Sequence, residues 1–153
     1  MKTINGDLIQ LALNGDFDVI VHGCNCFCTM GAGIAKSIKQ RFRRAYQADL
    51  NTVKGDKSKL GSYSLAVIEI DDRKVYIINA YTQYHWKGTG NKVDYDSIRS
   101  IFAKIKVQFS GKRIAYPLIG AGLGGGDWQI IKKIIETELK NENHTLVIFN
   151  KKS

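Results

Sequence analysis

A strand that runs into a glycine-rich loop and out into a helix occurs twice in these 153 residues. That duplication constrains the fold more than any other feature of the chain. The first unit spans residues 19–35, V-I-V-H-G-C-N-C-F-C-T-M-G-A-G-I-A. It begins as the apolar strand Val19-Ile20-Val21, carries His22, Asn25, Gly31 and Gly33, and enters a helix at Ile34. The second begins as a strand over 113–118, passes through the loop 117–127 (P-L-I-G-A-G-L-G-G-G-D), and continues as a helix from Trp128. Glycines admit a close approach to the backbone, and a helix N-terminus offers unpaired N–H groups to an anion. In open α/β sheets such ligands sit outside the carboxyl ends of the strands. Two units of this kind can grip a pyrophosphate from both flanks. Neither loop has the lysine–serine ending of a P-loop, and the first is not a G-x-G-x-x-G run, so Walker-type and Rossmann nucleotide sites are disfavoured.

The remaining chain supplies the covering elements. Residues 1–5 read as a short edge strand, and Gly6-Asp7 opens a helical turn over 8–13 that Asn14-Gly15 closes. Asp7 is the natural N-cap there; a carboxylate accepting from an exocyclic amine is the functional alternative. Ile34, Ile38 and Phe42 make one apolar stripe, and a short helix follows over 43–50. Residues 51–61 form a polar loop. Strands over 62–70 and 74–81 pair around Asp71-Asp72, and 82–90 reads as a ligand-facing loop. Over 93–109, Tyr95, Ile98, Ile101, Phe102, Ile105 and Phe109 recur at helical spacing. Ile130, Ile131, Ile134, Ile135 and Leu139 mark the next helix, and 144–150 the last strand. The alternation predicts an α/β fold, a mixed and largely parallel sheet between two helical layers. With one proline and no linker-like run, 1–153 reads as one domain.

Charge and cysteine content narrow the partners. The formal net charge is +9, which favours an anionic partner without choosing among nucleotide, nucleic acid and acidic protein. The basic cluster Lys36, Lys39, Arg41, Arg43, Arg44 reads as a solvated helix face. Cys24, Cys26 and Cys28 are a poor disulfide framework. Extended, they span roughly 13 Å at about 3.3 Å per residue, so one metal would need a tight curl, and no metal site is expected. They read as small buried side chains in a reducing, cytoplasmic setting. No apolar run reaches membrane-spanning length and no signal region is expected at the N-terminus.

Gly6-Asp7-Leu8, the strand end His22-Gly-Cys-Asn25, the loop Gly31-Ala-Gly33-Ile-Ala and the loop Pro117…Gly120-Ala-Gly122-Leu-Gly-Gly-Gly126 together resemble a macrodomain, the ADP-ribose-binding module. The likeness runs along nearly the whole chain in matching order. Within the family, His22-Gly-Cys-Asn25-Cys and Gly126-Asp127-Trp128 are most similar to the branch that processes ADP-ribose-1''-phosphate, including phage relatives. The resemblance implies a three-layer α/β/α fold with the ligand cleft on the sheet crest. It implies that Asp7 accepts the adenine amine and that Leu8 lends a backbone amide near the base. It further implies that Asn25 holds the distal ribose, that Gly31, Gly33 and Ile34 cradle the pyrophosphate from one side and Gly120, Ala121, Gly122 and Leu123 from the other, and that Phe149 and Asn150 border the adenine. No cofactor and no membrane are implied, and a monomer is expected.

Hydrolysis of a 1''-phosphate needs an aligned water, charge neutralisation and a protonated leaving oxygen. His22 is a candidate acid–base group, with a neutral structural histidine as the alternative. Asp127 is a second candidate, as base or as an orienter of His22, with the N-cap of the helix after it as the alternative. Asn25 orients the ribose and the water. In related enzymes that release ADP-ribose from acidic protein side chains, an acidic residue follows Gly-x-Gly-Leu; here Gly124 stands there, which weakens that route. The competing functions are a reader of ADP-ribose or of ADP-ribosylated protein or nucleic acid, an eraser of another linkage, and a basic nucleic-acid-binding domain.

Overall fold

The computed structural model describes residues 1–88 and 90–149. Strands β1 (Lys2–Asn5), β2 (Val19–Cys24), β3 (Tyr63–Ile70), β4 (Arg73–Tyr81), β5 (Ile114–Tyr116) and β6 (His144–Ile148) form one sheet in the order β1-β6-β5-β2-β4-β3. All neighbouring pairs are parallel except β3, which turns back antiparallel on β4 at the edge. The helices are α1 (Leu8–Leu13), α2 (Gly33–Arg41), α3 (Arg43–Leu50), α4 (Tyr95–Phe109) and α5 (Trp128–Glu138). The mixed, largely parallel sheet is the one expected from the sequence.

The alternation of side chains along β2 divides the core. Val19 and Val21 pack with α4 and α5 through Ile98, Ile101, Phe102, Ile131 and Ile135. Ile20 and Cys24 pack on the other face against Ile9, Ile38 and Ala45 of α1, α2 and α3. β2 lies between β5 and β4, covered on both faces, which its nearly unbroken apolar run requires. Each buried Ile or Phe of the α4 stripe contributes on the order of 1.5–3 kcal/mol.

Element ends follow local chemistry. Asp94 caps α4 by accepting from the Asp96 and Ser97 N–H groups, so the helix begins at Tyr95 rather than Val93. Val93 stays extended in an isolated antiparallel bridge to Gln83. β5 stops at Tyr116 because Pro117 has no N–H for the ladder. Ile130, expected on the apolar side of α5, is 44% exposed. β6 ends at Ile148, short of the expected 150. Lys59, in the loop expected to be merely polar, is buried on a 3-10 turn (Lys57–Lys59).

The topology places the site. β2 continues through α2 and α3 toward β3 and β4 on one side, whereas β5 continues through α5 to β6 on the other. Because β2 and β5 are neighbours, both glycine loops leave the sheet side by side at its carboxyl edge, where the connections diverge.

Candidate functional site: a cleft between two glycine loops

Three adjoining compartments follow one another across the carboxyl edge of the sheet. The first, about 550 Å³, is lined by Asp7 and Leu8 and by Val147 and Phe149. The middle one, about 380 Å³, lies between Gly33 and Ile34 on one wall and Gly120, Gly122 and Leu123 on the other. The third, about 480 Å³, is lined by Asn25, Thr29, Gly31, Asp49, Trp86 and Lys92, among others. Gly33, Ile34 and Phe149 belong to both the first and the middle compartments, and Gly23 and Leu123 to both the middle and the third, so the three form one cleft.

In the first compartment Asp7 has two tasks. Its Oδ1 caps α1 by accepting from the Gln10 N–H at 3.1 Å, and the exposed side chain also borders the cleft. Phe149, 67% exposed, offers an apolar ring at the rim. Asn150 lies outside the described residues.

The middle compartment is built from backbone. α1, α4 and α5 are all capped by an aspartate, but Ala32 precedes α2 and provides no side-chain acceptor. The first N–H groups of α2 therefore open onto the cleft with the positive end of the helix dipole. Gly33 has φ +58°, and a Cβ there would lie 3.6 Å from Leu123 Cδ1, so the two loops meet across a narrow waist. The opposite loop folds on itself: Gly126 N–H donates to Gly120 O at 2.7 Å and Gly125 N–H to Gly122 O at 3.1 Å. Gly120, at φ +72°, packs so closely on Val93 that a Cβ would approach it to 2.9 Å. Gly122 and Leu123 line the waist. Ala121 does not line it; its side chain turns to the core under α4 and α5. Gly31 lines the third compartment rather than the waist.

In the third compartment Asn25 is held by its own loop. Its Oδ1 accepts from the Phe27 N–H at 2.8 Å and its Nδ2 donates to Thr29 Oγ1 at 2.7 Å. Trp86 stacks on His85 with centroids 4.1 Å apart and meets Phe27 edge-on.

The two candidate acid–base groups are elsewhere. His22 is fully buried on the α1–α3 face and is not among the residues lining the cleft. Asn79 Nδ2 donates to Ala45 O and Ser64 Oγ, which leaves Asn79 Oδ1 to accept from His22 Nε2–H at 2.6 Å. Burial lowers the imidazole pKa to about 4 against a smaller upward pull from that hydrogen bond, so His22 is neutral near pH 7. Direct proton transfer to a ligand in the cleft requires a contact that this placement does not provide. Asp127 is exposed, does not line the cleft, and accepts the Gln129 N–H at 2.9 Å as the N-cap of α5. The cap alternative describes its position.

Asp49 was not among the candidates read from the sequence. It is 1% exposed, on a short helix where Ala45 and Asp49 are the buried residues. A carboxylate on the apolar face of that helix, seven residues after Phe42 and four after Ala45, was the available signal. Cys24, Cys26 and Cys28 are free and buried. Among the described residues no cluster of three or more His, Cys, Asp or Glu is placed to hold a metal ion. No helix among them is long and apolar enough to cross a membrane.

A six-stranded, largely parallel sheet with two convergent glycine loops at its switch point defines an α/β ligand-binding module. The chain matches the Macro domain family over residues 21–135, more than half its length, and it belongs to that family. It is 37% identical over 142 residues to an uncharacterised 17.5 kDa protein of Enterobacteria phage T4, covering 90% of this chain and 88% of that protein. It is 25% identical to a DNA ADP-ribosyl glycohydrolase of Thermus aquaticus, covering 92% of this chain but 38% of that enzyme. A 46-residue stretch is 41% identical to an ADP-ribose 1''-phosphate phosphatase of Aspergillus oryzae, 30% of this chain and 21% of that one. The fold is similar to that of Thermosipho africanus DarTG in complex with ADP-ribose, with a TM-score of 0.75 and 22% identity over all of this chain and 43% of that one.

Proposed function

We propose that the chain binds ADP-ribose along this cleft and hydrolyses ADP-ribose-1''-phosphate to ADP-ribose and phosphate. The observation that carries the reading is the waist. There an α-helix N-terminus with no side-chain cap faces a glycine loop, between a larger compartment bordered by a carboxylate and a ring and a smaller one bordered by a carboxamide. Adenine occupies the first compartment, with its exocyclic amine toward Asp7 and its face along Ile34, Val147 and Phe149. The diphosphate takes N–H groups from Gly33, Ile34, Gly122 and Leu123. Asn25 orients the distal ribose and its 1'' substituent.

His22 and Asp127 have no contact with substrate in this reading. His22 braces Asn79, and Asp127 holds the start of α5. The phosphatase relative supports the substrate through a short matching stretch. Removal of ADP-ribose from a nucleic acid is a second reading. It is favoured by Trp86, 43% exposed, and Lys92, which both line the third compartment, where a base can stack and a phosphate can pair.

The deciding experiment measures inorganic phosphate release from ADP-ribose-1''-phosphate together with calorimetric ADP-ribose binding on the same sample. Multiple turnovers support the phosphatase. Tight binding without release sinks it and leaves a reader or an eraser of another linkage, to be sought with ADP-ribosylated single-stranded DNA and protein.

A further inference from the structure

Under the third compartment lies a set of buried polar groups that the reading above does not use. Asp49 lines the compartment beside Asn25 and Thr29. Its Oδ1 accepts the Tyr81 hydroxyl at 2.7 Å. Its Oδ2 is buried and has no hydrogen-bond partner among the described residues. A buried carboxylate oxygen in that condition costs on the order of 1–3 kcal/mol, so a partner brought by a ligand restores what folding left unmade.

The same carboxylate stands at the end of a relay. The Tyr81 hydroxyl lies 2.9 Å from Ser64 Oγ, Ser64 Oγ accepts from Asn79 Nδ2 at 3.0 Å, and Asn79 Oδ1 accepts from His22. Lys59, 7% exposed, donates to Thr52 Oγ1 at 2.9 Å and sits 4.9 Å from the Tyr81 ring centroid. Cys28 Sγ donates to the Asp49 carbonyl at 3.2 Å from the loop after β2. The ionisable groups facing Asp49 are therefore Tyr81 from β4, Lys59 from the 3-10 turn, Cys24 from the end of β2, Cys26 and Cys28 from the loop after it, and Lys92, which shares the compartment. Asp49 is the one carboxylate among the described residues that lines it.

We infer that Asp49 is the proton-exchanging residue of the third compartment, its unpartnered oxygen meeting the oxygen on the anomeric carbon of the bound distal ribose. This rests on ADP-ribose occupying the cleft as proposed above. Burial raises the Asp49 carboxyl above the ordinary carboxylate range, against the opposing pull of the Tyr81 hydrogen bond and Lys59. A protonated Asp49 suits a leaving alkoxide. Water oxygen bonds to phosphorus and the bond from phosphorus to the 1'' oxygen breaks. That electron pair stays on the 1'' oxygen, which takes the Asp49 proton. The products are ADP-ribose and dihydrogen phosphate, and the Asp49 carboxylate recovers a proton from solvent.

The test is calorimetry of ADP-ribose binding by the whole chain in two buffers of different ionisation enthalpy, between about pH 5 and 8, a range above the His22 titration and below that of the Cys24 and Cys26 thiols, which burial pushes up. The wild-type protein exchanges a pH-dependent fraction of a proton on binding. Asp49→Asn still accepts from Tyr81, binds with a Kd within about tenfold, and loses that exchange. Tyr81→Phe removes a hydrogen bond that favours ionised Asp49, so the midpoint of the exchange moves to higher pH; this variant keeps the question open to measurement if Asp49→Asn folds poorly. Phosphate release by Asp49→Asn falls at least about 100-fold and the corresponding limb of its pH–rate profile disappears. Exchange that is unchanged in both variants overturns the assignment. Asp49-dependent exchange in a wild-type protein that releases no phosphate upholds it while the phosphatase reading fails. A wild-type protein that does not bind ADP-ribose sinks both.

Discussion

The two ends of the cleft are made differently. At the first compartment the polar group is Asp7, an exposed residue adjacent in sequence to Leu8 and already employed as a helix cap, and the flanking ring of Phe149 stands in solvent. At the third compartment, Asp49, Tyr81 and Lys59 are all less than a tenth exposed, and His22 is joined to them through Asn79 and Ser64. One end keeps its polar group hydrated until a ligand arrives. The other has removed its polar groups from water during folding, at a cost in stability and with the proton affinities of His22, Asp49 and Tyr81 shifted as the result. Substitutions at the open end should thus change binding and leave folding alone. Those at the buried end should change folding and its pH dependence.

His22 gives the largest expected effect. Its folded pKa is about 4, below the 6.5 of an ordinary imidazole. Between those values the unfolded chain holds a proton that the folded chain does not, so stability is fully present above about pH 6.5 and is lost as pH falls toward 4. The loss amounts to about 3 kcal/mol at about 1.4 kcal/mol per pKa unit. Urea unfolding of the wild-type protein and His22→Gln at pH 7 and about pH 4.5 reads it as a difference in slope, since the other groups titrate alike in both. Equal losses in the two proteins would show that His22 is not held neutral, and the contrast between the ends would lose its strongest support.

Phe149→Ala tests the open end. Because the ring is 67% exposed, unfolding free energy should change by less than about 0.5 kcal/mol. ADP-ribose affinity, read by calorimetry, should fall about tenfold, the equivalent of about 1.4 kcal/mol of lost ring contact. A drop in thermal stability with unchanged affinity would place Phe149 in the fold rather than at the ligand.

How much of this was legible in the sequence follows the same division. The strand–glycine-loop–helix units, the Asp7 cap and the α4 stripe are local patterns, and each occurs where its spacing put it. Asn25, Gly33, Ile34, Gly122 and Leu123 line the cleft because they belong to those units. His22 illustrates the limit of local reading. Being at a strand end fixed its height on the sheet, but the parity of β2 put its side chain on the α1–α3 face, beside Asn79 of the neighbouring strand. The third compartment's floor joins residues 28, 49, 52, 59, 64 and 81, which no periodicity connects. Only the pairing of β4 with both β2 and β3 brings Tyr81 and Ser64 together under the first glycine loop.

The smallest expected effect is at Asp127, and it tests whether proton transfer belongs to the buried end. Asn caps a helix about as well as Asp, so Asp127→Asn should hold the unfolding free energy within about 0.5 kcal/mol, while Asp127→Ala should lose about 1 kcal/mol with the cap. Neither should alter phosphate release beyond what a loosened α5 imposes, because the carboxylate faces solvent and the Gln129 amide rather than the cleft. A second possibility separates cleanly in the same pair. Were Asp127 the base, Asp127→Asn would be as stable as the wild-type protein yet lose release by about 100-fold or more. The waist loop would then have to move to bring residue 127 to the ligand, and a proton-exchanging Asp49 would be unnecessary. Unaltered release by a stable Asp127→Asn, beside an impaired Asp49→Asn, leaves the transferred proton with the carboxylate that lines the compartment.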